Sequence, residues 1–358
     1  MDVKHGCSLT LLACLSTSAF AYPGPSPGAE DIPKMMAASA LVCKGEVIEA
    51  LVPTSSMSPA RLPDLKATIR PDRCFKGSLK VSSITVLFDG SISVDRPSFV
   101  LHRGDYLLFF LTPQNGAYAV VNPWFGALPV SRNLGKAPAS GDEMYALEQD
   151  LEAGLQDPDR ELVLDSIQML GDMKHLRSTS DLVALLDSSD LLVKTYTWQA
   201  FLRLKDYSVL PAVSEFFASQ PELPHQLFLP RDRLFYMQQE LIVEIGVIRD
   251  PAALAFLESF AVNGKASLLR SNALQALRAI SSPHSASTFL TALDDANPDS
   301  AYSAMQGLLS LAGPGPKEWV PTWKQFDEAP TLYAAKCREW WRIEGEQKML
   351  SRYPARPS

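Results

Sequence analysis

Histidine and cysteine are scarce, with five of each in 358 residues. That excludes a disulfide-dense scaffold and argues against a metal centre with many ligands. His102, His175, His225 and His284 are scattered along the chain rather than clustered. No Gly-x-Gly-x-x-Gly, Walker A loop, Gly-x-Ser-x-Gly or His-Glu-x-x-His is present, so the common phosphate, nucleophile and zinc motifs are missing. The acidic groups Asp294-Asp295 and Asp187…Asp190 fall at expected helix ends, where carboxylates cap and complement the dipole. On this reading the chain has no catalytic residue, no metal ligand and no cofactor, and is not an enzyme. No Asn-x-Ser/Thr acceptor occurs. No apolar run reaches the ~18 residues a membrane-spanning helix needs. What remains is ordinary for a folded chain: 46% hydrophobic and 20% charged residues, in a length that suggests two domains at ~150 residues each.

Residues 1–21 have the order of a cleaved secretory signal. Lys4 comes first, then the apolar stretch Leu9–Ala21, then the small-x-small pattern Ala19-Phe20-Ala21. Leu11-Leu12-Ala13-Cys14 loosely resembles a lipobox but would leave an apolar core of about six residues. Pro23, Pro25 and Pro27 keep the following stretch out of a helix, and 22–30 reads as a disordered linker. The expected location is extracytoplasmic, either periplasmic or secreted. Export would leave Cys43, Cys74 and Cys337. An oxidising compartment permits a Cys43–Cys74 disulfide, and two buried thiols fit the sequence as well.

The rest of the chain divides by texture. Residues 31–132 alternate Val-, Ile-, Phe- and Tyr-rich runs with turn residues. The expected strands are Leu41–Leu51, Leu65–Phe75, Ile84–Phe88, Asp105–Leu111 and Ala117–Val121. Asn115-Gly116 between two apolar runs is a hairpin signal. Five short strands in this length suggest a small barrel or sandwich. Residues 133–141 have linker composition. Residues 142–330 carry helical spacing throughout, with breaks at Asp157-Pro158, Asp250-Pro251 and Asn297-Pro298. A helix over 331–350 and a flexible tail over 351–358 complete the chain.

Charge is unevenly shared. Residues 22–141 hold 12 Lys and Arg against 9 Asp and Glu, and residues 142–358 hold 20 against 30. An acidic helical half excludes nucleic acid as the expected partner, because that needs a basic footprint.

The stretch Leu268–Ile280 carries aliphatic-Arg-x-x-Ala-x-x-Ala-Leu at Leu269, Arg270, Ala273, Ala276 and Leu277. It resembles the second helix of a HEAT repeat. The same register starts at Leu162, Val193, Phe235, Leu269 and Ala301. Seven residues on lie Met169, Ala200, Ile242, Ala276 and Leu308, and eight on lie Leu170, Phe201, Val243, Leu277 and Leu309. All are apolar, so stacked helix pairs would share one continuous seam. The widest gap between starts holds an insertion, Ser219–Asp232, read as an edge loop. The resemblance implies an α-solenoid that binds protein or peptide. Positions six and nine on would face outward. They place Gln168, Gln199, Glu244, Gln275 and Arg278 on the expected binding surface.

In the strand-rich part, Leu41–Val47, Cys74-Phe75-Lys76-Gly77, Gly104–Phe110 and Gly116-Ala117-Tyr118 resemble in order the netrin-like, or metalloproteinase-inhibitor-like, OB-type barrel. That resemblance implies an alternative function, protease inhibition or regulation through the barrel. Trp319, Trp323, Trp340 and Trp341 crowd the end of the chain, where a stack of repeats needs a cap. The expected fold is α+β and multidomain: a small OB-type β-barrel, then an all-α HEAT-like solenoid. The expected function is a non-catalytic secreted or periplasmic protein-binding scaffold.

Overall fold

Alternation and turn chemistry build the first half. The computed structural model describes residues 31–50, 65–88, 101–122, 126–136, 141–177, 179–219, 233–248, 250–313, 315 and 319–354. The expected signal (1–21), the linker 22–30 and nearly all of the Ser219–Asp232 insertion lie outside these residues. A short helix α1 (Ile32–Ala38) starts at Asp31, whose side chain accepts from the Lys34 amide. It buries Ile32, Met35 and Met36, one face at helical spacing. Six strands follow among the described residues: β1 (Leu41–Ala50), β2 (Leu65–Lys76), β3 (Ile84–Phe88), β4 (Tyr106–Gln114), β5 (Ala117–Val120) and β6 (Ala127–Pro129).

Hydrogen bonding runs β1-β2-β3-β5-β4 and returns from β4 to β1, closing a five-stranded barrel. Among the strand pairs of the described residues only β3–β5 is parallel. The β4–β5 hairpin turns on Asn115 and Gly116, with φ of 50° and 79°, as a two-residue turn of this hand requires. The three-residue β6 pairs with the first part of β4. Cys43 and Cys74 face each other across β1 and β2 and are joined as a disulfide.

Successive side chains of β1 and β4 serve two cores. Leu41, Cys43, Val47, Phe109 and Leu111 fill the barrel interior. Val42, Leu108 and Phe110 point outward and join a second cluster that runs on through α1 into the helical half. A strand buried on both faces reads as an unbroken apolar run, and Leu107–Leu111 is one.

The helical half comprises α2 (Glu143–Gly154), α3 (Arg160–Asp172), α4 (Ser180–Leu185), α5 (Leu191–Arg203), α6 (Leu210–Ser219), α7 (Arg233–Val247), α8 (Pro251–Asn263), α9 (Ser267–Ile280), α10 (Ala286–Ala292), α11 (Pro298–Ala312), α12 (Trp323–Glu328), α13 (Pro330–Trp340) and α14 (Glu346–Arg352). Asp142, Asp159, Asp190, Asp250 and Asn297 cap the starts of α2, α3, α5, α8 and α11 through their side chains. Pro251 and Pro298 occupy first-turn positions, where a missing N–H costs nothing. The α3 helix packs on α5, α5 on α7, α7 on α9, and α9 on α11. The α8 helix packs on α7 and α9, and α10 on α8 and α11. The α13 and α14 helices, joined by a π-helical turn at Trp341–Gly345, pack on α11.

The two halves are fastened together. Lys44 of β1 and Asp150 of α2 pair at 2.5 Å, each side chain 3% exposed. Arg73 of β2 reaches the other oxygen of Asp150 at 2.5 Å. The stretch that reads as linker by composition is held at its start. Asn133 O accepts from Lys44 Nζ, Gly135 O accepts from Arg73, and the Gly135 amide donates to Asp150. Buried Lys44 and half-buried Arg73 hold those carbonyls, and composition does not encode such a contact.

Candidate binding face of the helical half

Helical spacing fixes which side chains line the seam between successive helices. Met169, Ala200, Ile242, Ala276 and Leu308 are all 4% exposed or less. Leu170, Phe201, Leu277 and Leu309 are buried beside them, and Val243 is half-buried. Gly171 lies in this seam against α5. A Cβ there would stand 2.8 Å from the Ala200 Cα, so α3 and α5 approach at backbone distance.

The residues expected to face outward divide into two groups. Gln168, Glu244, Gln275 and Arg278 are half-buried, at positions of their helices turned away from the seam register. Gln199 is 4% exposed and lines no accessible surface. The reason is crowding. The α5 helix is flanked by α3 and α7, and Thr195 through Leu202 are all buried. The solvent stripe expected from a single helix closes when both neighbours press in.

Glu244 is also not free. Arg203 of α5 donates from Nε to Glu244 of α7 at 2.7 Å and from Nη1 to Asp172 of α3 at 2.8 Å. One guanidinium therefore joins three helices that follow one another in the stack. Its side chain is 7% exposed. Burial pushes the Asp172 carboxyl up to about 8, Arg203 opposes that, and Glu244 adds to it. Sequence reasoning passed over Arg203 and Asp172. The signal was there: both lie ten residues beyond their starts, Val193 and Leu162, one step past the series that was followed.

Nearer the helix starts, Arg233 of α7 donates to the Tyr196 hydroxyl at 2.8 and 3.1 Å and pairs with Glu161 of α3. Asp165 of α3 is pushed up to about 6, chiefly by burial; Arg233 opposes this, and Glu161 and Asp159 reinforce it. At the other end of the stack Gln275 donates to Ser271 Oγ at 3.4 Å, and Ser271 Oγ lies 3.2 Å from Ser303 Oγ. Amide, hydroxyl, carboxylate and guanidinium groups thus bond from one helix to the next along the series. Side-chain amides donate and accept at once, as peptide groups do.

Elsewhere the chemistry is sparse. His102, His175 and His284 are exposed and far apart in the chain. Among the described residues no cluster of His, Cys, Asp and Glu is arranged to hold a metal ion. Cys43 is 2% exposed and oxidised, so it offers no thiolate to a metal. Cys337 of α13 is buried, which pushes its thiol up to about 12. No described helix is long and apolar enough to cross a membrane. No protein-family model and no curated protein matches the chain.

Proposed function

We propose that this chain is a non-catalytic, extracytoplasmic protein-binding scaffold. In this reading the barrel is OB-type, the helical half is a HEAT-like α-solenoid, and 331–350 caps it. A polypeptide partner docks on the face that carries Gln168, Gln275 and Arg278, with Glu244 and the Arg203 clamp as its rigid floor. The observation that carries this is the seam: five helices in chain order bury the same register, Met169 through Leu308. Their remaining half-exposed positions are then aligned on one side. Such a surface is fixed before any partner arrives, which lowers the ordering cost of association.

Export is supported by the order of Lys4, Leu9–Ala21 and Ala19-Phe20-Ala21, and by the Cys43–Cys74 disulfide, which persists in oxidising compartments. The N-terminal residue of the chain isolated from its own cells tests this part. Tyr22 is expected, and an intact Met1 counts against export.

The binding part is tested with a photo-crosslinking residue placed at Gln168 or Gln275, and at Lys265 as an off-face control. Illumination in the native envelope should give discrete polypeptide adducts from the first two positions and none from Lys265. The same adducts from all three positions would remove the face.

A further inference from the structure

The α13 helix, the π-helical turn Trp341–Gly345 and α14 follow one another without a break from Pro330 to Arg352. They form one rod of roughly 30 Å at ~1.5 Å per residue. Its inner side is a line of buried residues, Ala334, Cys337, Trp341, Gly345 and Met349, and this side packs on α11. Leu332, Glu339, Ile343 and Gln347 each stand two residues, about half a turn, from a member of that line. They therefore share the opposite side, and all four are exposed. Leu350 borders them.

A helix that ends a stack needs a polar outer side to stay soluble. Here Leu332 is 52% exposed, Ile343 57% and Leu350 58%. The charges around them cancel. Lys336, Arg342 and Lys348 stand against Glu339, Glu344 and Glu346. Arg338 holds Asp294, and Arg352 donates to the Ser310 and Leu311 carbonyls. The helical half is acidic as a whole, yet a second copy meets no net repulsion on this side. The pattern is also its own complement. Leu332 and Leu350 lie nine residues before and after Trp341. Arg342 pairs with Glu339, and Lys348 with Glu344. Lys336 and Glu346 make no ion pair among the described residues, and they lie five residues before and after the same Trp341.

We propose that the outer side of this terminal helix is a homodimer interface, on which a second copy of the chain lays the same helix antiparallel about a two-fold axis at Trp341. A two-fold contact requires that if one residue meets another, the second meets the first in return. Antiparallel pairing about Trp341 meets that condition. Leu332 comes level with Leu350 of the second copy, and Lys336 with its Glu346. The two Ile343 side chains fall within about one turn of each other beside the axis. The contact removes three aliphatic side chains per copy from water, which is its driving force, and the opposed charges fix its direction. It uses none of the residues placed on the binding face and goes beyond that reading without resting on it.

Sedimentation equilibrium of the full chain tests this. The mass should rise from one copy to two with concentration. Leu332→Glu, Ile343→Glu and Leu350→Lys should each weaken association about tenfold or more. All three positions are more than half exposed, so the variants should fold and melt as the unmodified chain does. Combining Leu332→Glu with Leu350→Lys should restore the dimer, because each new carboxylate then comes level with a new ammonium of the other copy. A damaged fold cannot produce that rescue. A single-copy mass at every concentration would overturn the proposal. So would a dimer that survives Ile343→Glu, or a double variant that associates no better than the single ones.

Discussion

Lys44 and Asp150 lie on different halves of the chain and meet at 2.5 Å in a site from which water is nearly absent. Burial pushes the lysine below its ordinary value, and Asp150 opposes that. Arg73 shares the same carboxylate, so Asp150 neutralises two cations. Removing it strands both. Asp150→Ala should therefore lower stability by about 3–5 kcal/mol in urea unfolding. Lys44→Met should cost clearly less, because Arg73 still answers Asp150 and the methionine refills the space. Equal losses for the two variants would show that the pair does not hold the junction.

This junction also marks where sequence reading stops. The strands from Leu41 to Val120 were legible because alternation and turn residues are local, and their observed bounds differ from expectation by at most a few residues. The barrel interior and the helical seam follow from the same periodicity. The three-residue β6 has no period to detect. Lys44 sits in an apolar run, and Asp150 in a polar helix. Nothing in either context says that they meet. Gln199 was placed on a surface because one helix was considered alone, while two neighbouring helices decide its burial. Arg203 was missed because the followed register was one residue short.

Glu152 on α2 is pushed up to about 7, first by burial and then by Glu148 and Asp181. The folded state thus keeps a proton that the unfolded state releases near 4.5. Unfolding then releases protons across that window, and the contribution of this group to stability falls as pH rises from 4.5 to 7. Glu152→Gln keeps an acceptor for the Gln149 amide and removes the titration. Its melting temperature should match that of the unmodified chain at acid pH and exceed it above neutrality. Glu152 is half-buried, so solvent screening limits the gain to about 1 kcal/mol or less. A constant offset at every pH would assign the effect to packing instead.

Gly171 offers a test of the seam in which two effects have opposite signs. Alanine gains up to about 1 kcal/mol over glycine in a helix interior, and only part of that at Gly171, the penultimate residue of α3. Here the new Cβ would meet the Ala200 Cα at 2.8 Å. That contact is backbone and cannot rotate away. Overpacking of this kind costs about 1–3 kcal/mol, so Gly171→Ala should be destabilising on balance. Measured stabilisation would mean that α3 and α5 stand further apart than 2.8 Å implies.

The division between Gln199 and Gln275 can be read the same way, now with binding as a second observable. Both are glutamines six residues past the start of their register, and composition treats them alike. Gln199 is 4% exposed beneath α3 and α7, while Gln275 is half-buried, with Ser271 below it. An indole at 199 has no room, so Gln199→Trp should lose about 1–3 kcal/mol in chemical unfolding. An indole at 275 can lie along the surface, so Gln275→Trp should stay within about 0.5 kcal/mol. Binding should respond in the opposite sense. Gln275→Trp places an indole on the proposed face of α9, next to Ser271 and one turn before Arg278, and should block polypeptide capture in a fully folded chain. Gln199→Trp should leave capture intact at any denaturant concentration where the chain remains folded. Loss of capture from both variants, with stability unchanged in both, would place the partner on α5 and reverse the assignment of the face.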